Sequence, residues 1–182
     1  YSNPTGAWTL DDGADAFPLD DTQWRDSDLD EFGDNPAPAN MADICPTTFG
    51  TSTEDRLGCP DYDLDGWSDE ADAFYWDVTQ WNDSDSDGYG DNPSPAITPD
   101  DCVDIWGNST LDLLGCVDSD GDGWSDESDA YPNHKLLWSD SDGDGYADQS
   151  GTNLSDDCPD EAGTSTVDRL GCIDSDGDGW SD

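Results

Sequence analysis

The sequence predicts an irregular fold with little regular secondary structure: an elongated tandem repeat array with one disulfide per repeat. Three observations predict it. Trp24, Trp81 and Trp138 are each 57 residues apart, as are Asp15, Asp72 and Asp129, and a fixed long period is the signature of repeat architectures. Aspartates alternate around glycine in short runs such as Asp118-Ser119-Asp120-Gly121-Asp122-Gly123. Six cysteines fall as three pairs with 13 residues between the members of each. No segment shows sustained 3.6-residue apolar spacing, and Pro and Gly interrupt nearly every candidate element.

The first kind of acidic loop, loop A, runs over twelve residues. Asp118, Asp120, Asp122, Asp126 and Asp129 stand at positions 1, 3, 5, 9 and 12, and Gly123 at position 6 permits the sharp bend. A calcium ion takes six to eight oxygens at about 2.3–2.6 Å, and a loop with this spacing wraps them around one ion, with position 7 (Trp124) giving its carbonyl. Asp61, Asp63, Asp65, Trp67, Asp69 and Asp72 repeat the pattern, and Asp174, Asp176, Asp178, Trp180 and Asp182 begin it again. At the other end Asp12 and Asp15 align with Asp69 and Asp72, whereas Pro4, Gly6 and Trp8 occupy the earlier ligand positions. A solvated acidic linker would not keep the glycine and five acids in register.

Loop B follows each aromatic connector. Its acids are Asp26, Asp28, Asp30 and Asp34, then Asp83, Asp85, Asp87 and Asp91, then Asp140, Asp142, Asp144 and Asp148. Phe32, Tyr89 and Tyr146 stand at position 7, so every loop of either kind carries an aromatic there, free to cover the ion. Position 12 holds Ala37, Ser94 or Gly151 instead of an acid. An acid recurs two residues before each first cysteine, at Asp43, Asp100 and Asp156, so an insertion should bulge out and return to deliver it. The third repeat is one residue shorter within that insertion, which marks a tolerant loop. The expected product is a calcium-stabilised array, with roughly one or two Ca2+ per acidic loop. Its parts are an unassigned segment 1–10, repeats at 11–60, 61–117 and 118–173, and the start of a further repeat at 174–182.

Composition agrees with coordination. The chain has 182 residues, 47 acidic and four basic, for a net charge of −43. The acids are overwhelmingly Asp, the shorter and stiffer one, whereas a generic solubilising surface uses both. Nucleic acid and anionic membrane are poor partners for such a surface, and no stretch has the roughly 18–20 apolar residues a membrane span needs. Nine Trp, six Tyr and four Phe suffice for small local clusters only. Units that cannot bury enough surface are stapled by metals or disulfides. The absence of an initiator Met and the unfinished last loop read as a piece of something longer.

Six cysteines allow fifteen pairings. The repeat favours one, Cys45–Cys59, Cys102–Cys116 and Cys158–Cys172, since every unit carries its own pair. A zinc site lacks ligands, because His134 is the only histidine and no further cysteine is near. Disulfides imply an oxidising compartment, so the expected location is extracellular or at the cell surface. Three N-glycosylation sequons begin at Asn82, Asn108 and Asn153, whereas Asn35 and Asn92 precede proline. Catalysis has no support: there is no nucleophile-and-base pair, and carboxylates tied to calcium cannot donate protons.

The run Asp174-Ser175-Asp176-Gly177-Asp178-Gly179, with Asp156-Asp157-Cys158-Pro159, Gly163-Thr164 and Val167-Asp168-Arg169-Leu170-Gly171-Cys172, resembles thrombospondin type 3 repeats in their bacterial and archaeal form. The resemblance extends from about Asp11 onward. It implies a chain with little secondary structure wrapped around a file of calcium ions, in a stalk or spacer of a surface protein. The insertion in loop B and the aromatic connector depart from the short form of the family. The expected function is therefore an extracellular calcium-binding structural protein, a stiff spacer or filament segment, whose complementary ends would let copies assemble head-to-tail. Two alternatives stand beside it. One is a calcium-dependent adhesion or docking module using exposed aromatics such as Trp76 and Trp106. The other is an acidic domain adapted to high salt without specific metal.

Overall fold

The computed structural model describes residues 15–182; the segment 1–10 and Asp12 lie outside the described residues. Among those described there is no helix and no extended strand, only turns, bends and three isolated parallel bridges, Gly33↔Ala42, Gly90↔Pro99 and Ala147↔Ser155. None of the helices is therefore present that would flank an EF-hand loop. Three disulfides, Cys45–Cys59, Cys102–Cys116 and Cys158–Cys172, each join Cα atoms 5.1 Å apart. Closing a loop of this size contributes about 3 kcal/mol in the chain-entropy model. No helix is long and apolar enough to cross a membrane among the described residues.

The chain divides into two compact units, Tyr1–Asn82 and Asp83–Asp182. The division falls immediately before the first acid of a loop B, inside the segment 61–117. Within the first unit, loop 26–34 leads to the disulfide segment 45–59, then to loop 61–72 and the connector 73–81. The disulfide segment holds both loops. Gly50 N donates to Asp30 Oδ2 on the loop before it, and Thr53 N and Glu54 N both donate to Gly66 O on the loop after it. The connector closes on itself through Ala73 N to Trp81 O, and Trp81 stacks on Trp67 with centroids 6.2 Å apart. The second unit repeats these bonds: Gly107 N to Asp87 Oδ2, Thr110 N and Leu111 N to Gly123 O, and Ala130 N to Trp138 O.

What is buried explains why so little regular structure forms. The buried apolar set is small and scattered: Phe32, Ala42, Phe74, Leu137, Ala147 and the second cysteine of each pair. The buried polar set is larger and holds Asp30, Asp43, Asp61, Asp72, Asp77, Asp100, Asp118 and Asp129, with five serines and two glutamines. Buried polar groups need partners, and the serines and glutamines have them. Ser52 Oγ donates to Arg56 O and accepts from Cys59 N, and Ser109 and Ser165 do the same in their segments. Gln23 fills the insertion of the first loop B, giving its amide to Asn35 O and Asn40 O and accepting from Asn35 N. In the third loop B, Leu137 takes that buried place, and Gln149 Oε1 accepts from Trp138 N and Ser139 N instead.

Candidate metal centres

Each acidic loop is wound by its own carboxylates. At position 1, Asp118 Oδ1 accepts from Gly121 N at 2.7 Å and its Oδ2 from Gly123 N at 2.9 Å. Asp26, Asp61, Asp83, Asp140 and Asp174 make the same two bonds to positions 4 and 6. Position 5 then accepts from the backbone N of position 7, as Asp122 does from Trp124 at 2.9 Å. Winding this tight puts both positions 4 and 6 in the left-handed region. Gly121 and Gly123 have φ of 78° and 104°, which glycine adopts without penalty. The first loop has Leu29 and Glu31 there, at φ 70° and 78°, and a left-handed L-residue costs about 1–2 kcal/mol.

The winding brings positions 1, 3 and 5 together. One carboxylate oxygen from each member lies within 4.8 Å of the others in groups that include Asp26/Asp28/Asp30, Asp61/Asp63/Asp65, Asp83/Asp85/Asp87, Asp118/Asp120/Asp122 and Asp140/Asp142/Asp144. Such a triad could hold a metal ion, since two oxygens facing each other across an ion of the calcium kind are about 4.6–5.2 Å apart. In the last loop Asp174, Asp176 and Asp178 carry the same bonds.

The fourth acid arrives differently in the two loops. In loop A, Asp72 and Asp129 are buried and accept from Phe74 N and Tyr131 N; Asp15 makes the same bond to Phe17 N, but it is exposed. In loop B the chain bulges through 35–41 or 92–98 and returns along the isolated bridge. Asp43 N then donates to Gly33 O, Asp100 N to Gly90 O and Asp156 N to Ala147 O. This return seats Asp43 beside Asp28, Asp30 and Asp34, Asp100 beside Asp83, Asp85 and Asp87, and Asp156 beside Asp140, Asp142 and Asp144. Burial first, and then these neighbouring charges, push the Asp43 carboxyl up to about 6. Asp72 is pushed up to about 6 by burial and by Asp65, Asp63 and Asp61. Asp100, Asp129 and Asp156 are raised for the same reasons.

These clusters leave oxygens without a donor. Both oxygens of Asp28 are buried and unpartnered, as is Oδ2 of Asp43, Asp63, Asp65, Asp85, Asp100, Asp120, Asp122, Asp142 and Asp156. The two ion pairs among the described residues, Arg25–Asp34 and Arg56–Glu70, reach none of them. Nor, among the described residues, does any donor reach the carbonyl of Phe32, Trp67, Tyr89, Trp124, Tyr146 or Trp180 at position 7. The rings of those residues vary in cover: Phe32 is buried, Trp180 is exposed and the rest lie between.

Position 9 is placed elsewhere. Asp126 Oδ1 accepts from Ser119 N and its Oδ2 from Ser119 Oγ, so both oxygens clasp position 2 of the same loop. Asp34, Asp91, Asp148 and Asp182 hold Ser27, Ser84, Ser141 and Ser175 in the same way, and Asp69 takes the backbone N of Tyr62. These six aspartates are not members of the converging triads. A further set escapes the sequence reading altogether. Asp55, Asp112 and Asp168, inside the disulfide segments, accept from N and Oγ of Ser68, Ser125 and Ser181. Burial alone would raise Asp112, but the hydroxyls of Ser125 and Ser128 and nearby backbone N–H groups hold it down to about 2. The signal was present: each lies 13 residues before its serine, at the same place in every repeat.

Comparison with known proteins adds no relative, since no family model matches the chain and no curated protein is significantly similar to it.

Proposed function

We propose that this chain is an extracellular calcium-binding structural protein, a stiff spacer or filament segment built of repeats of the thrombospondin type 3 kind. One observation carries the reading: among the described residues, eleven buried carboxylate oxygens converge in groups with no hydrogen-bond donor or basic side chain to meet them. Isolated ionised carboxylates are too costly to bury without a partner. In loop A the ion would be held by positions 1, 3, 5 and 12 with the free carbonyl of position 7; in loop B the returning Asp43, Asp100 or Asp156 replaces position 12. An all-oxygen shell with this many ligands and an irregular, flexible frame suits calcium better than the strict octahedron of magnesium. Bound calcium supplies positive charge that these loops otherwise lack, so binding free energy becomes folding free energy. With so small an apolar core, the repeats would be rigid only when loaded. Three disulfides fit an oxidising environment outside the cytosol.

Calorimetric titration with calcium at constant ionic strength tests this reading. Saturable binding at several sites, accompanied by a fall in hydrodynamic radius, is expected. Heats no larger than those of added sodium would overturn it and favour the acidic high-salt domain. A docking role is favoured by one separate observation, the exposed cluster in which Tyr75 packs edge-on against both Tyr62 and Trp76.

A further inference from the structure

We propose that Asn108 carries an N-linked glycan whose first sugar packs on the indole of Trp106, and that the other two sequons are not modified to a comparable degree. The inference is independent of metal binding. It rests on how the disulfide segment displays the run Trp106-Gly107-Asn108-Ser109-Thr110.

That run is pinned by its alternate residues. Asn108 N and Ser109 N both donate to Cys116 O, Gly107 N donates to Asp87 Oδ2, and the Ser109 hydroxyl is turned inward to accept from Cys116 N. Gly107 lies so close to the backbone of Gly115 and Cys116 that a side chain there would collide with it. Gly107 and Ser109 are buried, whereas Trp106, Asn108 and Thr110 are exposed. Alternation of this kind places residues i, i+2 and i+4 on one face of an extended chain, successive members about 6.6 Å apart. Asn108 therefore stands between an aromatic residue and a threonine, all three exposed, with the Thr110 hydroxyl lying over Gly123. Trp106 is 59% exposed and makes no ring contact among the described residues. An indole presents a broad apolar face that the C–H side of a pyranose can cover.

The three sequons differ in what the fold does with them. Glycosylation requires the asparagine amide and the hydroxyl two residues on. Asn108 and Thr110 make no side-chain hydrogen bond among the described residues. At Asn82 the required hydroxyl, Ser84 Oγ, is bound to Asp91 Oδ2 at 2.6 Å and closes loop 83–91. At Asn153 it is Ser155 Oγ, which accepts from Thr152 N at 2.9 Å within the bridge turn. The equivalent of Asn108 is Thr51 in the first segment, after an equally exposed Phe49, and Thr164 in the third, after Ala162. The corresponding run thus occurs three times, with Thr51 Oγ1 donating to Asp61 O in the first and Ala162 in place of the aromatic in the third, and only the middle one carries asparagine.

The transfer is redox-neutral. Asn108 Nδ2 forms a bond to the anomeric carbon of a polyprenyl-phosphate-linked oligosaccharide, the donor supplied by the secretory machinery. The bond from that carbon to the phosphate oxygen breaks, the phosphate leaves with the electron pair, and the amide proton passes to a base and then to water.

The test uses the full chain secreted from a host that performs N-glycosylation. Enzymatic deglycosylation in 18O-water followed by peptide mass mapping marks each formerly glycosylated asparagine as labelled aspartate. Predominant labelling at Asn108 is expected. An unlabelled Asn108, or labelling of Asn82 or Asn153 to the same extent, would overturn the assignment. Trp106→Ala, with disulfides verified intact, should reduce Asn108 occupancy by about threefold or more, in line with the worth of an aromatic contact. It should also abolish nuclear Overhauser contacts between the first sugar and an indole. Unchanged occupancy, together with no such contacts in the parent protein, would refute the packing on Trp106.

Discussion

Loops A and B have the same winding but reach a fourth acid by different routes. Loop A carries it locally: Asp72 and Asp129 follow eleven residues after Asp61 and Asp118. Loop B recruits it from beyond an insertion, and the disulfide begins two residues later. The second difference lies at position 5. In loop A, Oδ2 of Asp65 and Asp122 has no donor, whereas in loop B the same atom of Asp30, Asp87 and Asp144 accepts from Gly50, Gly107 and Gly163. A loop B site is therefore part of the disulfide segment, and a loop A site is a self-contained loop on which the preceding segment rests. The lesson is that one ligand pattern can be completed locally or through long-range chain return, and the two should respond differently to the same perturbation.

Removing one disulfide should show the largest contrast. Cys102→Ala with Cys116→Ala forfeits about 3 kcal/mol of loop-closure stabilisation, and the loss should fall first on loop 83–91, whose Asp100 then loses its anchor. Calorimetry should record weakened calcium binding at that loop before any change at loop 118–129; equal weakening of both would break the comparison. Asp118→Ala should act in the opposite sense, because it removes two charge-assisted bonds, together about 3 kcal/mol, from loop A alone. Its expected signature is the loss of one class of sites with loop 83–91 unaffected.

How much of this could be read in the sequence follows the same division. The converging triads, the cysteine pairs and even the return of Asp43, Asp100 and Asp156 are legible, because period and alternation record them directly. The clasp of Asp55, Asp112 and Asp168 on the following loop is not local, and nothing in an isolated aspartate distinguishes a hydroxyl acceptor from a metal ligand. Position 9 carries a second bond that spacing does not record: Asp34, Asp91, Asp126, Asp148 and Asp182 stand where the pattern expects a ligand, and each also clasps the serine at position 2 of its own loop. The left-handed demand at position 4 is masked by Leu29, Leu64 and Ser86, residues that pattern reading does not associate with positive φ.

Smaller effects sharpen the comparison. Glu31→Gly relieves a left-handed L-residue in the first loop B and should stabilise the first unit by about 1 kcal/mol, measured as a higher midpoint of thermal unfolding. Leaving the midpoint unchanged would mean that the strain is absorbed elsewhere. The pH dependence should be alike in both loops. The carboxyls of Asp43 and Asp72 rise from 3.8 to about 6 on folding, so without metal the folded state binds more protons than the unfolded state between these values. Stability of the metal-free chain should then decline as pH rises from about 4 to about 6. A chelated sample that instead gains stability over this window would contradict the placement of these two groups.

The central claim is that the orphaned oxygens face calcium, and diffraction from crystals grown in calcium tests it most directly. Anomalous signal is expected within about 2.3–2.6 Å of Asp63, Asp65 and Asp72 in loop A and of Asp28 and Asp43 in loop B, with the carbonyls of Trp67 and Phe32 completing the two shells. Ordered loops in which these carboxylates bind only water or basic side chains would contradict it.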